Sequence, residues 1–313
     1  MSTVIQPLAV PRNAAVALLR DYTELTKLRV TTLIVVTAWC GYFFGARQSG
    51  VSSLSIGLFH TLFGIFLVSS GAAALNEVME REVDSRMRRT IQRPLPAGRM
   101  SVTHATIAGA LMVLGGALYL GVTLNPLTGW LSFATAAVYL GVYTPLKKVH
   151  PLCTLVGAFP GAMPGVLGWT AARGGLELGA VVMFAIVFFW QFPHFLSIAW
   201  LYRDDYAAGG IRMLPVVEPD GKSTIRQILL YSLGLIPVSL LPRFLGMAGD
   251  AYFFGAVIMG CGLFYVGLRL AVFKLAPGTP QSKQRARRLL QATVIYLTLL
   301  FALMMLNPIA QNK

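Results

Sequence analysis

Leu54–Asp84 reads LSIGLFHTLFGIFLVSSGAAALNEVMEREVD, and this stretch sets the fold class. Between Leu54 and Asn76 no Asp, Glu, Lys or Arg occurs. The run is about twenty residues long, which is what a helix needs to cross the hydrocarbon of a bilayer. Polarity then arrives abruptly, with Glu77, Glu80, Arg81, Glu82 and Asp84. An apolar helix that ends in acids reads as a membrane span meeting water on one side. If the helix continues past that edge, Asn76, Glu80 and Asp84 fall at i, i+4 and i+8 on one face.

The same apolar pattern recurs along the chain. Of its residues, 56% are hydrophobic and 12% charged, and the mean hydropathy is +0.66. A water-soluble chain carries about 25% charged residues, so too little polar surface exists here to coat a soluble globule. Charges and Gly/Pro breaks place spans near 30–46, 54–76, 105–124, 127–143, 152–170, 179–201, 227–246, 252–273 and 289–307. Short connections such as Thr123–Pro126 join antiparallel neighbours. The expected architecture is an all-α, polytopic membrane protein of about nine helices in an up-and-down bundle. Residues 1–29 precede it, 30–307 form one domain, and 308–313 are a short tail. The N-terminal apolar run Ala14–Leu18 is too short for a cleavable signal. Cys40, Cys153 and Cys261 lack metal-ligand spacing and read as buried thiols.

Basic residues give the orientation. With 1–29 in the cytoplasm and alternating sides, twenty-one Lys and Arg fall in cytoplasmic segments. Only Arg47, Arg173, Arg243 and Lys313 fall opposite, and Arg269 lies within a span. This asymmetry fits the positive-inside rule for the cytoplasmic (inner) membrane and an odd number of spans. The net charge of +14 is then a product of topology and of attraction to anionic lipid, and it implies no nucleic acid.

The acids carry the chemistry. Of twelve carboxylates, Glu77, Glu80, Glu82 and Asp84 follow the second span, and Asp204 and Asp205 follow the sixth. Like charges at i, i+4 repel. Spacing alone leaves two readings open: a divalent cation bridging Glu80 and Asp84, or a solvated helix end balancing nearby arginines. Arg86, Arg88, Arg89 and Arg93 follow at once, with Lys147 and Lys148 across the next hairpin. Carboxylates beside a cationic cluster suit a metal-bound diphosphate, because Mg²⁺ prefers one or two carboxylates plus phosphate oxygens. No Gly-rich phosphate cradle of the P-loop type is present, so a lipid diphosphate fits better than a soluble nucleotide.

Asn76–Leu95 (NEVMEREVDSRMRRTIQRPL) resembles the first acid-rich motif of the UbiA superfamily of membrane prenyltransferases, and Tyr143–Lys148 (YTPLKK) is similar to its Tyr-x-x-x-Lys segment. His194–Val217 (HFLSIAWLYRDDYAAGGIRMLPVV) resembles the haem O synthase branch, and Glu24–Val30 (ELTKLRV) agrees. The resemblance covers nearly the whole chain from Glu24. It implies a nine-helix fold, Mg²⁺, farnesyl diphosphate and haem b as substrates, and haem O as product. Haem A synthase or a terminal-oxidase assembly system would be downstream partners. Carried over by residue, Asn76, Glu80, Asp84, His194 and Asp205 would be catalytic. Arg88, Arg89, Arg93, Tyr143, Lys147, Lys148, Tyr202 and Arg203 would bind diphosphate, and Glu80, Asp84, Asp204 and Asp205 would hold metal.

Three departures stand out. Glu80 occupies a position where Asp is commoner, and Leu28 replaces a proline of the opening motif. Asp204 and Asp205 are adjacent rather than at i, i+4, so on a helix they diverge by about 100°. His194 follows Pro193 inside an apolar run. It either lines the reaction cavity or pairs with a carbonyl that the proline frees. Gly157, Gly161 and Gly165 form a small-residue face for close helix packing. Phe188, Phe189, Trp190, Phe192 and Phe195 either shield an allylic cation or pack in core or lipid. His60, His104 and His150 read as structural. Two further functions remain to be separated: prenylation of an aromatic quinone precursor, which calls for a fuller second acidic motif, and ion-coupled transport. Transport sites lie near the midplane, whereas these acids gather at one edge.

Overall fold

The computed structural model describes residues 14–50, 52–272 and 278–309. Arg12, Lys274 and Lys313 of the charge count, and residues 310–313 of the expected tail, lie outside the described residues. All regular elements among the described residues are helical: α1 (Ala14–Leu25), α2 (Leu28–Gln48), α3 (Ile56–Asp84), α4 (Val102–Thr123), α5 (Pro126–Val138), α6 (Thr144–Leu146), α7 (Cys153–Arg173), α8 (Leu178–Leu201), α9 (Arg203–Ala208), α10 (Leu214–Val217), α11 (Lys222–Phe244), α12 (Asp250–Val272) and α13 (Pro280–Leu306).

Local chemistry sets many of these ends. Asn125 caps α5 by accepting from the Thr128 amide at 2.9 Å, with Pro126 in the first turn. Thr279 and Pro280 start α13 in the same way, nine residues before the expected span. Gly174, at φ 73°, stops α7. The amphipathic α1 was not expected at all.

Among the described residues, seven helices are long and apolar enough to cross a membrane: α2, α3, α4, α8, α11, α12 and α13. The other two expected spans are of a different kind. The expected 127–143 span is cut by a π turn at Tyr139–Tyr143. Pro145 lacks an N–H, and its ring crowds the carbonyl four residues back, so the turn widens. The Thr144 amide then bonds the Tyr139 carbonyl five residues back. The expected 152–170 span corresponds to α7, whose four glycines and two prolines dilute its hydropathy. Both still run between the two ends of the bundle. Asn125 donates to the Thr170 carbonyl at 2.9 Å at one end, and Thr144 accepts from Asn76 at 3.1 Å at the other.

The ends differ in charge as the asymmetry requires. Arg47 reaches the Ile309 carbonyl, Arg173 reaches Ser49, and Arg243 pairs with Asp250 beside the Gly249–Asn307 contact. At the opposite, basic end, Arg99 bridges Asp21 and Glu24, Lys147 pairs with Glu80, and Lys283 pairs with Asp204.

One group of helices packs α2 on α7 and α3 on α4 and α5. A second sets α8 against α11 and α13 with α12 outside them, and the α7–α8 contact joins the groups. Trp169, Phe192, Trp200 and Tyr252 fill the interior. The expected small-residue face is in use: Gly157 backs the Tyr143 ring, Gly161 backs the Gln191 amide, and Gly165 meets α2. There the approach is closest, because a Cβ on Gly41 would sit 1.9 Å from the Gly165 carbonyl oxygen. Backbone cannot yield as a side chain does, so Gly41→Ala forces the helices apart. The expected loss is about 1–3 kcal/mol, read as a lower unfolding midpoint in detergent; a midpoint equal to the parent's would refute this packing.

Cys40 and Cys153 are buried, but Cys261 is exposed on the outer face of α12, which corrects the expectation of three buried thiols. The aromatic run packs largely in core. Phe192 stacks on Tyr231 with centroids 3.5 Å apart, and Phe188 meets Phe159 and Phe184. His60 bonds Tyr119, His104 bonds Tyr22, and His150 accepts from the Leu152 amide. These are structural partners.

Candidate active site

Because α3 continues unbroken to Asp84, its acidic face forms as expected. Asn76, Glu80 and Asp84 are only 0%, 6% and 1% exposed. Buried carboxylates need partners. Glu80 accepts from Lys147 Nζ at 2.7 Å, and Asp84 accepts from Arg93 Nη1 at 2.6 Å. The loop after α3 folds back to supply Arg93. The Thr90 hydroxyl donates to the Asp84 carbonyl at 2.9 Å, and the Leu95 amide donates to Glu77 Oε1 at 3.2 Å. Lys147 arrives from the far side of the π turn, and the Tyr143 ring lies 4.6 Å from its ammonium.

Asn76 joins two further segments. Its amide nitrogen donates to Thr144, and its oxygen accepts from Lys27 Nζ at 2.6 Å. Lys27 is the one described non-glycine residue at positive φ (48°), in the left-handed region between α1 and α2. That conformation costs an L-residue about 1–2 kcal/mol, and here it turns the side chain onto the acidic face.

The two lysines differ electrostatically. Burial pulls the Lys27 pKa down to about 8, with Arg93 and Lys147 adding to the fall and Glu80 and Asp84 opposing it. Burial also acts to lower Lys147, but the Glu80 carboxylate outweighs it and leaves Lys147 above its ordinary value. Lys27 touches an amide where Lys147 touches a carboxylate, and that contact makes the difference.

A second cluster adjoins the first through the Arg212 amide, which donates to the Lys147 carbonyl at 2.8 Å. Arg89 lies 4.8 Å from the Tyr202 ring centroid and 5.1 Å from that of Tyr206, and it donates to the Tyr206 hydroxyl at 3.3 Å. Asp205 lies near this guanidinium. Asp204 does not. It is 76% exposed and paired with Lys283 at 3.0 Å. Adjacent residues on α9 point in different directions, and Asp204 turns outward, apart from Glu80, Asp84 and Asp205 of the expected metal set. No group of three or more His, Cys, Asp or Glu side chains able to hold a metal exists among the described residues. Arg88 and Lys148 are exposed and Arg203 is half-buried. None of these three forms an ion pair among the described residues.

His194 sits elsewhere, on the face of α8 toward α13. Its Nδ1 lies 2.9 Å from Thr293 Oγ1, and its ring stacks on Trp190 at 4.6 Å. The Thr293 hydroxyl donates to the Leu290 carbonyl at 2.7 Å. We therefore assign the proton to His194 Nδ1, which leaves Nε2 as an acceptor. The histidine does not cap a carbonyl freed by Pro193.

The donor set suits a metal-bound diphosphate. Three cations (Lys27, Arg93 and Lys147) stand around Glu80 and Asp84, with the buried Glu77 beside them, so carboxylates for a metal and cations for phosphate oxygens share one site. Sequence reasoning missed Lys27, Thr144 and Tyr206. For Lys27 the one available signal was its place in the Glu24–Val30 segment.

Residues 34–292 match the model of the UbiA prenyltransferase family. The protoheme IX farnesyltransferase of Koribacter versatilis is 61% identical over 307 residues, covering 98% of this chain and 99% of that protein. Two solved structures share the fold. A digeranylgeranylglyceryl phosphate synthase superposes with a TM-score of 0.74 at 16% identity, covering 92% of this chain and 98% of its own. A UbiA homologue from Archaeoglobus fulgidus, bound to GPP and Mg²⁺, has a TM-score of 0.63 at 15% identity, covering 91% and 99%.

Proposed function

The chain belongs to the UbiA prenyltransferase family, and from that premise we propose that it transfers a farnesyl group from farnesyl diphosphate to a vinyl group of haem b, giving haem O and diphosphate. The high identity to a protoheme IX farnesyltransferase over nearly the full length of both chains supports this acceptor. The observation that carries the donor half is the buried acid pair ringed by Lys27, Arg93 and Lys147.

The allylic C–O bond breaks with its electron pair leaving on the diphosphate. The vinyl π pair of haem forms the new C–C bond. Water adds to the resulting cation and loses a proton, leaving a hydroxyethylfarnesyl substituent. The charge that grows on the departing diphosphate is met by Arg93, Lys147 and Lys27, preorganised in a buried site. Arg89, held by Tyr202 and Tyr206, stands ready for the same oxygens, with Arg88, Lys148 and Arg203 as outer cations. Glu80 and Asp84 would hold Mg²⁺ together with diphosphate oxygens, and the metal would supply further neutralisation of the leaving group; Asp205 stands in the second cluster beside Arg89. The Archaeoglobus protein's complex with GPP and Mg²⁺ agrees with this chemistry.

The membrane arrangement we propose is nine spans in one domain over 30–307 of the inner membrane. The N-terminus is cytoplasmic and the C-terminus lies opposite. The different charge at the two ends of the bundle supports it. Purified enzyme should release diphosphate only when haem and farnesyl diphosphate are both present; release driven instead by an aromatic quinone precursor would overturn the acceptor.

Lys27 gives this site a pH dependence. Its protonated form binds the diphosphate, and its pKa in the free enzyme is about 8. Above that pH, binding must take up a proton, so KM for the allylic diphosphate rises by up to about tenfold per pH unit. Lys27→Arg, charged throughout, should flatten the rise between pH 8 and 9.5. An unchanged slope would remove Lys27 from diphosphate binding. For stability the sign is opposite: between about 8 and 10.5 the unfolded chain holds a proton that the folded one has lost, so folding gains as pH rises.

His194, with Nε2 free as an acceptor, is proposed to act on the haem side. His194→Ala should lower turnover per folded molecule at least tenfold, about 1.4 kcal/mol of transition-state stabilisation. Thr293→Val, which keeps the ring but loses its orienting partner, should have a smaller effect. Unchanged turnover with a lowered melting point would leave His194 as an α8–α13 tie alone.

A further inference from the structure

Of the four arginines on the α12–α13 hairpin, none of which the diphosphate site uses, three line one cavity. Arg269, near the end of α12, faces Arg285 and Arg288 of α13 across a partly enclosed cavity of about 100 Å³ completed by Tyr265 and Val266. One of the three has a local explanation. Arg285 Nη1 donates to the Arg269 carbonyl at 2.7 Å, at the end of α12 where the helix dipole favours a cation.

Arg269 and Arg288 have no such account. The Arg269 guanidinium stands 6.0 Å from the Tyr265 ring centroid. Among the described residues neither arginine joins an ion pair. The sequence explains why: Asp250 is the last carboxylic side chain, and residues 251–313 hold no Asp or Glu. Lys283, in the same segment, borrows Asp204 from α9. Arg269 and Arg288, lining one cavity with no carboxylate from their own segment, repel one another, and an anion from outside would remove that cost.

The surroundings select the anion. The cavity lies at the end of a helical hairpin, where the bilayer meets water. Along the same two helices the outward residues Ile258, Tyr265, Ile295 and Leu299 are 72%, 58%, 58% and 51% exposed. A phosphate in the cavity with acyl chains along these residues satisfies both parts, whereas a soluble anion uses only the first. Basic pockets between membrane helices at a charged leaflet are binding sites of this chemistry. We propose that the α12–α13 end binds the phosphate head group of an anionic phospholipid. This rests on the membrane placement of the bundle but not on the identity of the prenyl acceptor.

The test compares the full-length parent with the Arg269→Gln/Arg288→Gln double variant, leaving Arg285 in place to cap α12. In nanodiscs, phosphatidylglycerol should raise the parent's melting point above that in phosphatidylcholine. The parent should also retain an anionic lipid through delipidation, seen by native mass spectrometry. At roughly fivefold per basic residue, the double variant should retain that lipid about twenty-five-fold less and lose the phosphatidylglycerol shift, with turnover unchanged. Equal lipid retention by the variant would overturn the proposal. An equal shift of the parent by inorganic phosphate in phosphatidylcholine would also overturn it, pointing to a free-anion site. A raised KM for haem with lipid retention intact would overturn it in favour of the haem propionates.

Discussion

Asp84→Asn should abolish prenyl transfer while leaving a folded, membrane-inserted protein. The substitution preserves shape and hydrogen-bonding capacity and removes one charge. Asp84 is 1% exposed, and its partner Arg93 lies 2.6 Å away with a side chain 28% exposed. Arg93 can therefore recover solvent when the carboxylate is lost, which limits the damage to folding. Catalysis has no such escape. Without Asp84 the site loses half its acid pair, and a cation that the diphosphate must share is no longer held in place. Removing one preorganised electrostatic group costs about 10²–10³ in kcat, and loss of a metal site adds to it. Diphosphate release by purified variant at saturating Mg²⁺ is the measurement. Full activity there would remove Asp84 from the reaction.

That prediction rests on a feature the sequence made plain. The apolar run before Asn76 and the four-residue spacing of Asn76, Glu80 and Asp84 both follow from helical periodicity, and α3 realises them in one piece. The small-residue face of α7 was legible for the same reason. What stayed hidden depends on contacts distant in sequence. Lys27 lies forty-nine residues from the Asn76 it touches, and its orientation comes from a left-handed residue that no periodicity signals. The early start of α13 was obscured because Arg285, Arg287 and Arg288 read as a loop, although the Thr279–Pro280 pair is an ordinary helix start. Asp204 and Asp205 were separable only in part. Adjacency said that they diverge, and the ion pair with Lys283 decided which one turns away. His194 was legible as unusual but not as placed, because its partner Thr293 is ninety-nine residues on.

The Glu80–Lys147 pair allows stability and chemistry to be measured apart. Both side chains are close to fully buried, 8% and 12% exposed, with Nζ 2.7 Å from the carboxylate. Breaking such a pair from one side leaves an uncompensated buried charge, at a cost of about 3–5 kcal/mol. Lys147→Met leaves Glu80 with Asn76 and the more distant Lys27, and Glu80→Gln leaves Lys147 with the Tyr143 ring at 4.6 Å, so each single change removes the main partner of the other. Removing both charges together should restore most of the stability, because a neutral Gln–Met pair has no stranded ion. Activity should not return, since the double variant lacks both a carboxylate for the metal and a cation for the leaving diphosphate. Unfolding midpoints in detergent for the four members of the cycle, together with diphosphate release, give the two readouts. A double variant that regains both stability and turnover would show the pair to be a structural tie at the edge of the bundle. One that regains stability alone places both residues in the chemistry, because only a role in the reaction separates the two recoveries.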